Sequence, residues 1–281
     1  MNNGLAFSAL VHAYTKVGKS TLANTSPAPR LLFDAESAHR WLPGEKIFWE
    51  PRREPPPQLG YGRYYMNRPD VFQVNWDTCV IIVREYSDMV QGVEWLKTGL
   101  HPFESANVDS ISEIQDKCKR HVLRGSDKDM EWKAWNALLN HMGKLLRELR
   151  DLTTHPTRPL QSVILTAMTR TDQKGRQVPY LQGQIAIQAP YFFDIEGYLK
   201  IMTFTNPQNP SQSQSYRVLQ IEADATAEAG NRVQGRLPAT MFLSPDPNNQ
   251  TVLNMIKQLS SPAQPVIDQQ INGIERQFAK A

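Results

Sequence analysis

Ala13-Tyr14-Thr15-Lys16-Val17-Gly18-Lys19-Ser20 is the stretch on which the reading of this chain turns. Set against G-x-x-x-x-G-K-[ST], it has Ala13 where the first glycine is expected, with Gly18, Lys19 and Ser20 in place and Thr21 following. The pattern has a physical basis. Glycine lets backbone N–H groups close around phosphate oxygens, the lysine neutralises them, and the hydroxyl can reach a cation. Residues 5–12 form a short apolar run that reads as a buried strand, and residues from 19 onward read as a short helix cut off by Pro27 and Pro29. An ordinary basic turn could carry the same letters, but the strand before and the helix after favour a phosphate loop.

Working outward, residues 30–33 form a second apolar run, closed by Asp34-Ala35-Glu36. Residues 78–83 are β-branched and strand-like, and a helix is expected over 87–98. A further strand is expected over 103–109, followed by helical spacing at Ile111, Ile114, Cys118 and Val122. The longest helix is predicted over 128–152, with Trp135, Leu138, Leu139, Met142, Leu145, Leu146 and Leu149 on its apolar face and a start signal at Ser126 and Asp129. Residues 162–166 give another strand, ending near Thr169 and Arg170. After residue 176 the texture becomes strand-like over 184–188, 198–204 and 216–222, with 206–215 read as a polar loop and a modest helix over 252–259.

Strands and helices that alternate and then give way to hairpins predict an α/β fold: a mainly parallel sheet flanked by helices, with C-terminal antiparallel strands. The expected organisation is a core over 1–240 and a peripheral tail over 241–281. A Pro/Arg/Tyr-rich excursion interrupts the core at about 50–69, where Arg52, Arg53, Arg63 and Arg68 alternate with tyrosines and prolines.

Composition sets limits. A chain of 281 residues with 40% apolar and 21% charged residues can bury one substantial core, and a net charge of +3 is too small to argue for a polyanionic partner by itself. Cys79 and Cys118 read as reduced core thiols. The six histidines show no ligand spacing with one another or with the cysteines. With no secretory leader and no apolar run of membrane-spanning length, the expectation is a cytoplasmic protein without a membrane partner.

In open α/β sheets, ligands bind beyond the carboxyl ends of the strands. Asp109 ends one such strand and could hold a metal-bound water, although Asp109 or Ser110 could equally cap the helix that follows. Glu36 lies where it could orient or deprotonate an attacking water, with Asp34 as competitor for that role.

The order of these landmarks resembles the RecA-type recombinases, and more closely the phage-encoded RecA-like P-loop ATPases associated with single-strand annealing. The resemblance covers roughly residues 5–240. It rests on 13–21 as the Walker A loop, 31–36 as the strand carrying the catalytic glutamate, 107–113 as Walker B and 163–170 as the sensor strand. It implies ATP and Mg²⁺ as ligands, with Ala13, Tyr14, Thr15, Lys16, Val17, Gly18, Lys19, Ser20 and Thr21 around the phosphates. Ser20 and Asp109 would hold the metal, Lys19 and Glu36 would be catalytic, and Thr166 and Thr169 would stand where recombinases often place a sensing amide. Ala13 departs from the family pattern and bears on turnover more than on binding.

The same resemblance implies a homo-oligomer, ring or filament, in which a neighbour supplies a basic finger. Arg232, between strand-like runs, is the candidate and Arg176 the second choice. It implies single-stranded DNA as partner, contacted through Arg170, Lys174 and Arg176 after the sensor strand, and cooperation with a single-strand binding protein. The Arg52–Arg68 stretch and the helix face with Lys117, Lys119, Arg120 and Arg124 are further candidate DNA contacts. A DNA recombination ATPase is the favoured reading. Ring-forming helicase or helicase loader, nucleotide-gated assembly protein with little hydrolysis, and small-molecule kinase are the alternatives, the kinase disfavoured because the later segments show no arginine-rich lid. Location in the host cytoplasm follows if the chain is phage-encoded.

Overall fold

Every side chain of Phe7–Ala13 (β1) is buried, as expected of a strand covered on both faces. The computed structural model describes residues 5–60, 63–65, 74–124, 129–206, 209–233, 235–243 and 251–260. After β1 come helix α1 (Lys19–Ala23), β2 (Arg30–Asp34), β3 (Lys46–Phe48), β4 (Gln58–Gly60), β5 (Arg63–Tyr65), β6 (Val74–Asn75) and β7 (Thr78–Ile82). Then follow α2 (Tyr86–Lys97), β8 (Ser105–Asp109), α3 (Ile111–Val122), α4 (Trp132–Asp151), β9 (Ser162–Thr171) and β10 (Gln177–Pro179). The chain continues through α5 (Ile185–Gln188), β11 (Ile195–Asn206), β12 (Asn209–Gln220), β13 (Gly230–Asn231), β14 (Thr240–Leu243) and α6 (Thr251–Ser260).

One sheet runs in the order β14, β12, β11, β1, β9, β8, β2, β7, β3, with β10 added to β9 and β13 to β11. The pairs from β11 through β3 are parallel, and β12, β14, β10 and β13 join antiparallel. This is the mainly parallel sheet with C-terminal antiparallel strands that the alternation predicts. Strand β9 lies between β1 and β8, and the register sets Val11 beside Thr166, Asn107 beside Ile164 and Asp34 beside Asp109. The loop after β1 and the acids of β2 and β8 therefore share the carboxyl edge of the sheet.

Two apolar clusters cover the sheet. One, with Leu10, Phe33, Ile81 and Leu165, packs under α2, α3 and α4, where Leu138, Met142, Leu145, Leu146 and Leu149 repeat at helical spacing. The other joins Val11, Leu199 and Leu219 to α1 and α6. The C-terminal segment, expected to be peripheral, thus contributes Val252, Met255, Ile256 and Leu259 to a core, because their spacing gives α6 a continuous apolar stripe. Cys79 and Cys118 are free and buried.

Three local readings differ from the structure. Within residues 184–188, read as a strand, Ile185–Gln188 forms helix α5, where Ile185 is buried in the core beneath α4; so short an apolar run does not separate strand from helix. Residues 206–215 are not simply a polar loop, since most lie in β11 and β12 and extend an antiparallel ladder from its apolar base. Within the expected excursion, Gln58–Gly60 and Arg63–Tyr65 form β4 and β5, which pair with β6 in a small antiparallel sheet. Ser126 and Arg68 lie outside the described residues.

Candidate phosphate and metal site

The loop from β1 to α1 turns through Lys16 (φ 65°) and Gly18 (φ 111°). Gly18 is favoured by its left-handed φ, and a Cβ there would stand 3.0 Å from Arg217 Nε and push that side chain aside. Lys19 is held across the loop, its Nζ donating to the carbonyl oxygens of Ala13 and Tyr14, each at 3.1 Å. Burial lowers the pKa of Lys19, while Glu36 and Asp109 pull it back up, so all three charges act on one another. Ser20 and Thr21 occupy the first turn of α1. Tyr14 turns away from the loop and donates its hydroxyl to Gln177 Oε1 at 2.6 Å.

The two carboxylates of β2 divide their work. Asp34 accepts the backbone N–H groups of Glu36 (3.0 Å), Ala38 (3.1 Å) and His39 (2.9 Å), and also binds the His39 ring. Its oxygens are spent on the loop, and the loop projects Glu36. Glu36 accepts a hydrogen bond from Ser110 Oγ. Burial raises its pKa, the Ser110 bond lowers it, and Asp109 raises it again. A carboxylate with a raised pKa near an anionic ligand is suited to take a proton from water. Ser110 precedes α3 but makes no side-chain capping bond; its hydroxyl serves Glu36.

Asp109 Oδ1 accepts Thr166 Oγ1 at 2.5 Å, whereas Oδ2 is buried with no hydrogen-bond partner among the described residues. An orphan carboxylate oxygen costs free energy, and its position beside Lys19 and Glu36 fits a cation with its water shell. Mg²⁺·ATP would be held there by Ser20, Asp109 and the loop amides. When bound, the metal would offset the charge of the phosphates.

Thr169 is not at that centre. It lies three residues from Thr166, on the opposite side of β9, and its hydroxyl meets His12 Nδ1 at 2.9 Å. His12 Nε2 lies 3.0 Å from the Glu228 carbonyl oxygen, so Nε2 carries the proton and Nδ1 accepts from Thr169. Burial lowers the His12 pKa to about 4, which keeps the ring neutral.

The remaining candidates lie elsewhere. Arg170, at the end of β9, and Lys174, on the β9–β10 turn, are exposed, but Arg176 is tied to Asp172 at 3.1 Å. Arg52 is paired with Glu85 and Asp88, each at 2.6 Å, and Arg53 with Glu50 at 3.0 Å. Arg232 bonds the Tyr191 carbonyl and stands 3.8 Å from Asp194. Asp194 in turn binds the backbone N–H of Ser8 at 2.8 Å. Ser8 and Ala13 are separated by five strand residues, about 17 Å, so Arg232 sits near the sheet edge opposite its own phosphate loop. The sequence reads Ser110 only beside Asp109 and as a possible helix cap, whereas its hydroxyl serves Glu36, and Arg217, which holds the loop carbonyl, is not singled out by it at all.

Among the described residues, no helix is long and apolar enough to cross a membrane. No curated protein matches the chain. A solved structure described as a prototypical ATPase from the type III secretion system of pathogenic bacteria is similar, at 13% identity and a TM-score of 0.40, covering 70% of this chain. The chain covers 53% of that ATPase, about half its length. Residues 6–233 match the family model described as an AAA domain. The matched region begins at the P-loop strand and takes in Glu36, Asp109 and Thr166, and the chain belongs to the AAA-domain family as a P-loop ATPase domain.

Proposed function

We propose that the chain binds and hydrolyses ATP·Mg²⁺ as a DNA recombination protein of the RecA-like kind, acting on single-stranded DNA as a homo-oligomer. The observation that carries the hydrolytic part is that the charges of Lys19, Glu36 and Asp109 act on one another at the carboxyl edge of the sheet, where Asp109 keeps a buried oxygen without a partner among the described residues and Ser20 stands on the first turn of α1. Glu36 accepts the proton of the attacking water, Lys19 neutralises phosphate charge, and Ser20 and Asp109 hold the metal. The DNA part is supported by the β9–β10 turn. Exposed Arg170 stands at the end of β9 and exposed Lys174 on the turn, and Tyr180 (41% exposed) follows β10, its backbone N–H donating to the Met168 carbonyl oxygen, so basic and aromatic side chains lie along this hairpin. Arg232, remote from its own loop, acts on the site of a neighbouring copy, and a single-strand binding protein is the cooperating partner this reading expects.

The test is ATP hydrolysis with and without single-stranded DNA, for wild type, Lys19→Ala and Arg170→Ala/Lys174→Ala. The reading expects turnover that DNA stimulates, that Lys19→Ala abolishes, and that the double substitution leaves active but unstimulated. Hydrolysis indifferent to DNA leaves the ATPase standing and removes the recombination reading.

A further inference from the structure

Strands β11 and β12 overshoot β1. His12 pairs with Tyr198 one residue before β1 ends, so β11 from residue 200 onward continues past the end of β1, beside the loop, with β12 alongside. On the face that carries α1, the cross-strand pairs are Leu199 with Leu219, then Ile201 with Arg217, then Thr203 with Ser215. The first pair is buried in the core shared with α1. The second is not: Ile201 is 54% exposed and Arg217 is exposed. Arg217 reaches back to the loop, its Nε donating to the Val17 carbonyl oxygen at 2.8 Å and its side chain covering the Gly18 α-carbon. Its two terminal nitrogens take no partner among the described residues.

We propose that Ile201 and Arg217 are the seat of the purine ring of the bound nucleotide. The inference rests on the phosphate-loop reading and adds to it. A nucleotide whose phosphates lie on Gly18 and Lys19 must project its nucleoside away from the loop, and the overshooting hairpin is the wall beside it. An exposed branched apolar side chain next to a planar guanidinium is a poor surface to leave in water and a good one for a flat, polarisable ring. The ring buries the Ile201 side chain and stacks on the cation. Thr203 Oγ1 and Ser215 Oγ, 2.8 Å apart on the next pair, offer hydroxyls to the ring edge or the sugar. Because Arg217 also holds the loop carbonyl, base binding and loop geometry are linked through one side chain.

The experiment compares ATP with inorganic tripolyphosphate, which has the phosphates and no base, by titration calorimetry at fixed Mg²⁺. Wild type is run beside Arg217→Ala, Arg217→Lys, Ile201→Ala and Lys19→Ala. Ile201→Ala is expected to weaken ATP roughly tenfold and leave tripolyphosphate unchanged, and Arg217→Ala, which also frees the loop carbonyl, to weaken ATP roughly tenfold more than it weakens tripolyphosphate. Arg217→Lys, which keeps the charge and loses the plane, is expected to follow Arg217→Ala. Lys19→Ala weakens both ligands. Equal weakening of ATP and tripolyphosphate in Arg217→Ala overturns the proposal and makes Arg217 a phosphate or loop-holding residue. Unchanged binding of both in the hairpin variants overturns it as well. Wild type that binds neither ligand overturns the phosphate-loop reading, and the base seat with it.

Discussion

Thr166 Oγ1 lies 2.5 Å from Asp109 Oδ1, and the other oxygen of that carboxylate is buried without a partner among the described residues. The folded chain thus carries a half-satisfied charge, at a cost on the order of 1–3 kcal/mol. Asp109→Asn keeps an oxygen for Thr166 and removes the charge. The expected outcome is a melting temperature raised by about 3 °C in the absence of ligand, with ATP turnover lowered at least about a hundredfold. Calorimetric melting and a steady-state ATPase assay check the two halves. Undiminished turnover would remove Asp109 from the metal site.

Glu36 must be ionised to accept a proton, and burial holds its pKa above the ordinary carboxylate value. Turnover is therefore lost as pH falls through that raised value. The Ser110 hydroxyl works in the opposite direction, favouring the ionised form. Ser110→Ala is expected to move the acid limb of the kcat profile to higher pH while leaving ATP affinity intact. Glu36→Gln is expected to lower kcat about a hundredfold or more with binding preserved. A Ser110→Ala profile that overlays wild type would show that the hydroxyl does not tune Glu36.

Much of this site was legible because it is local. Gly18, Lys19 and Ser20 are read from their own spacing, and the acids mark strand ends that the apolar runs define. The choice between Asp34 and Glu36 was not legible. It depends on three backbone N–H groups and a histidine ring folding back onto Asp34, which only the turn after β2 creates. Thr166 and Thr169 looked equivalent as letters, but a three-residue offset in a strand sends them to opposite faces. Arg217 could not be found at all, since it lies 200 residues from the carbonyl that it binds.

Asp34 makes a separable prediction. Its side chain organises the turn that carries Glu36, so Asp34→Ala should cost stability as well as rate. Loss of several charge-assisted bonds amounts to about 3 kcal/mol, against which Glu36→Gln should cost little. Urea unfolding of both variants distinguishes a turn-organising carboxylate from a proton acceptor. Equal stabilities for Asp34→Ala and wild type would contradict the assignment.

The last prediction concerns Glu196, 6% exposed on β11, with Oε1 lacking a partner among the described residues. Burial, and then the charge of Glu228, raise its pKa from 4.5 to about 8. The folded state prefers the neutral acid, while the unfolded chain ionises from about 4.5 upward, so Glu196 makes stability fall as pH rises from 4.5 to about 8. His12 acts in the other direction. Its pKa is lowered from 6.5 to about 4, so its contribution is full above 6.5 and is lost as pH falls toward 4. The two effects overlap and oppose each other below 6.5, which leaves the interval from 6.5 to about 8 for Glu196. Across it, unfolding free energy should fall by up to about 2 kcal/mol, at no more than about 1.4 kcal/mol per pH unit. Glu196→Gln should be more stable than wild type at the alkaline end and should flatten the slope. Urea unfolding at several pH values across this interval decides it: a flat wild-type profile, or a slope that survives in Glu196→Gln, would place the titrating group elsewhere.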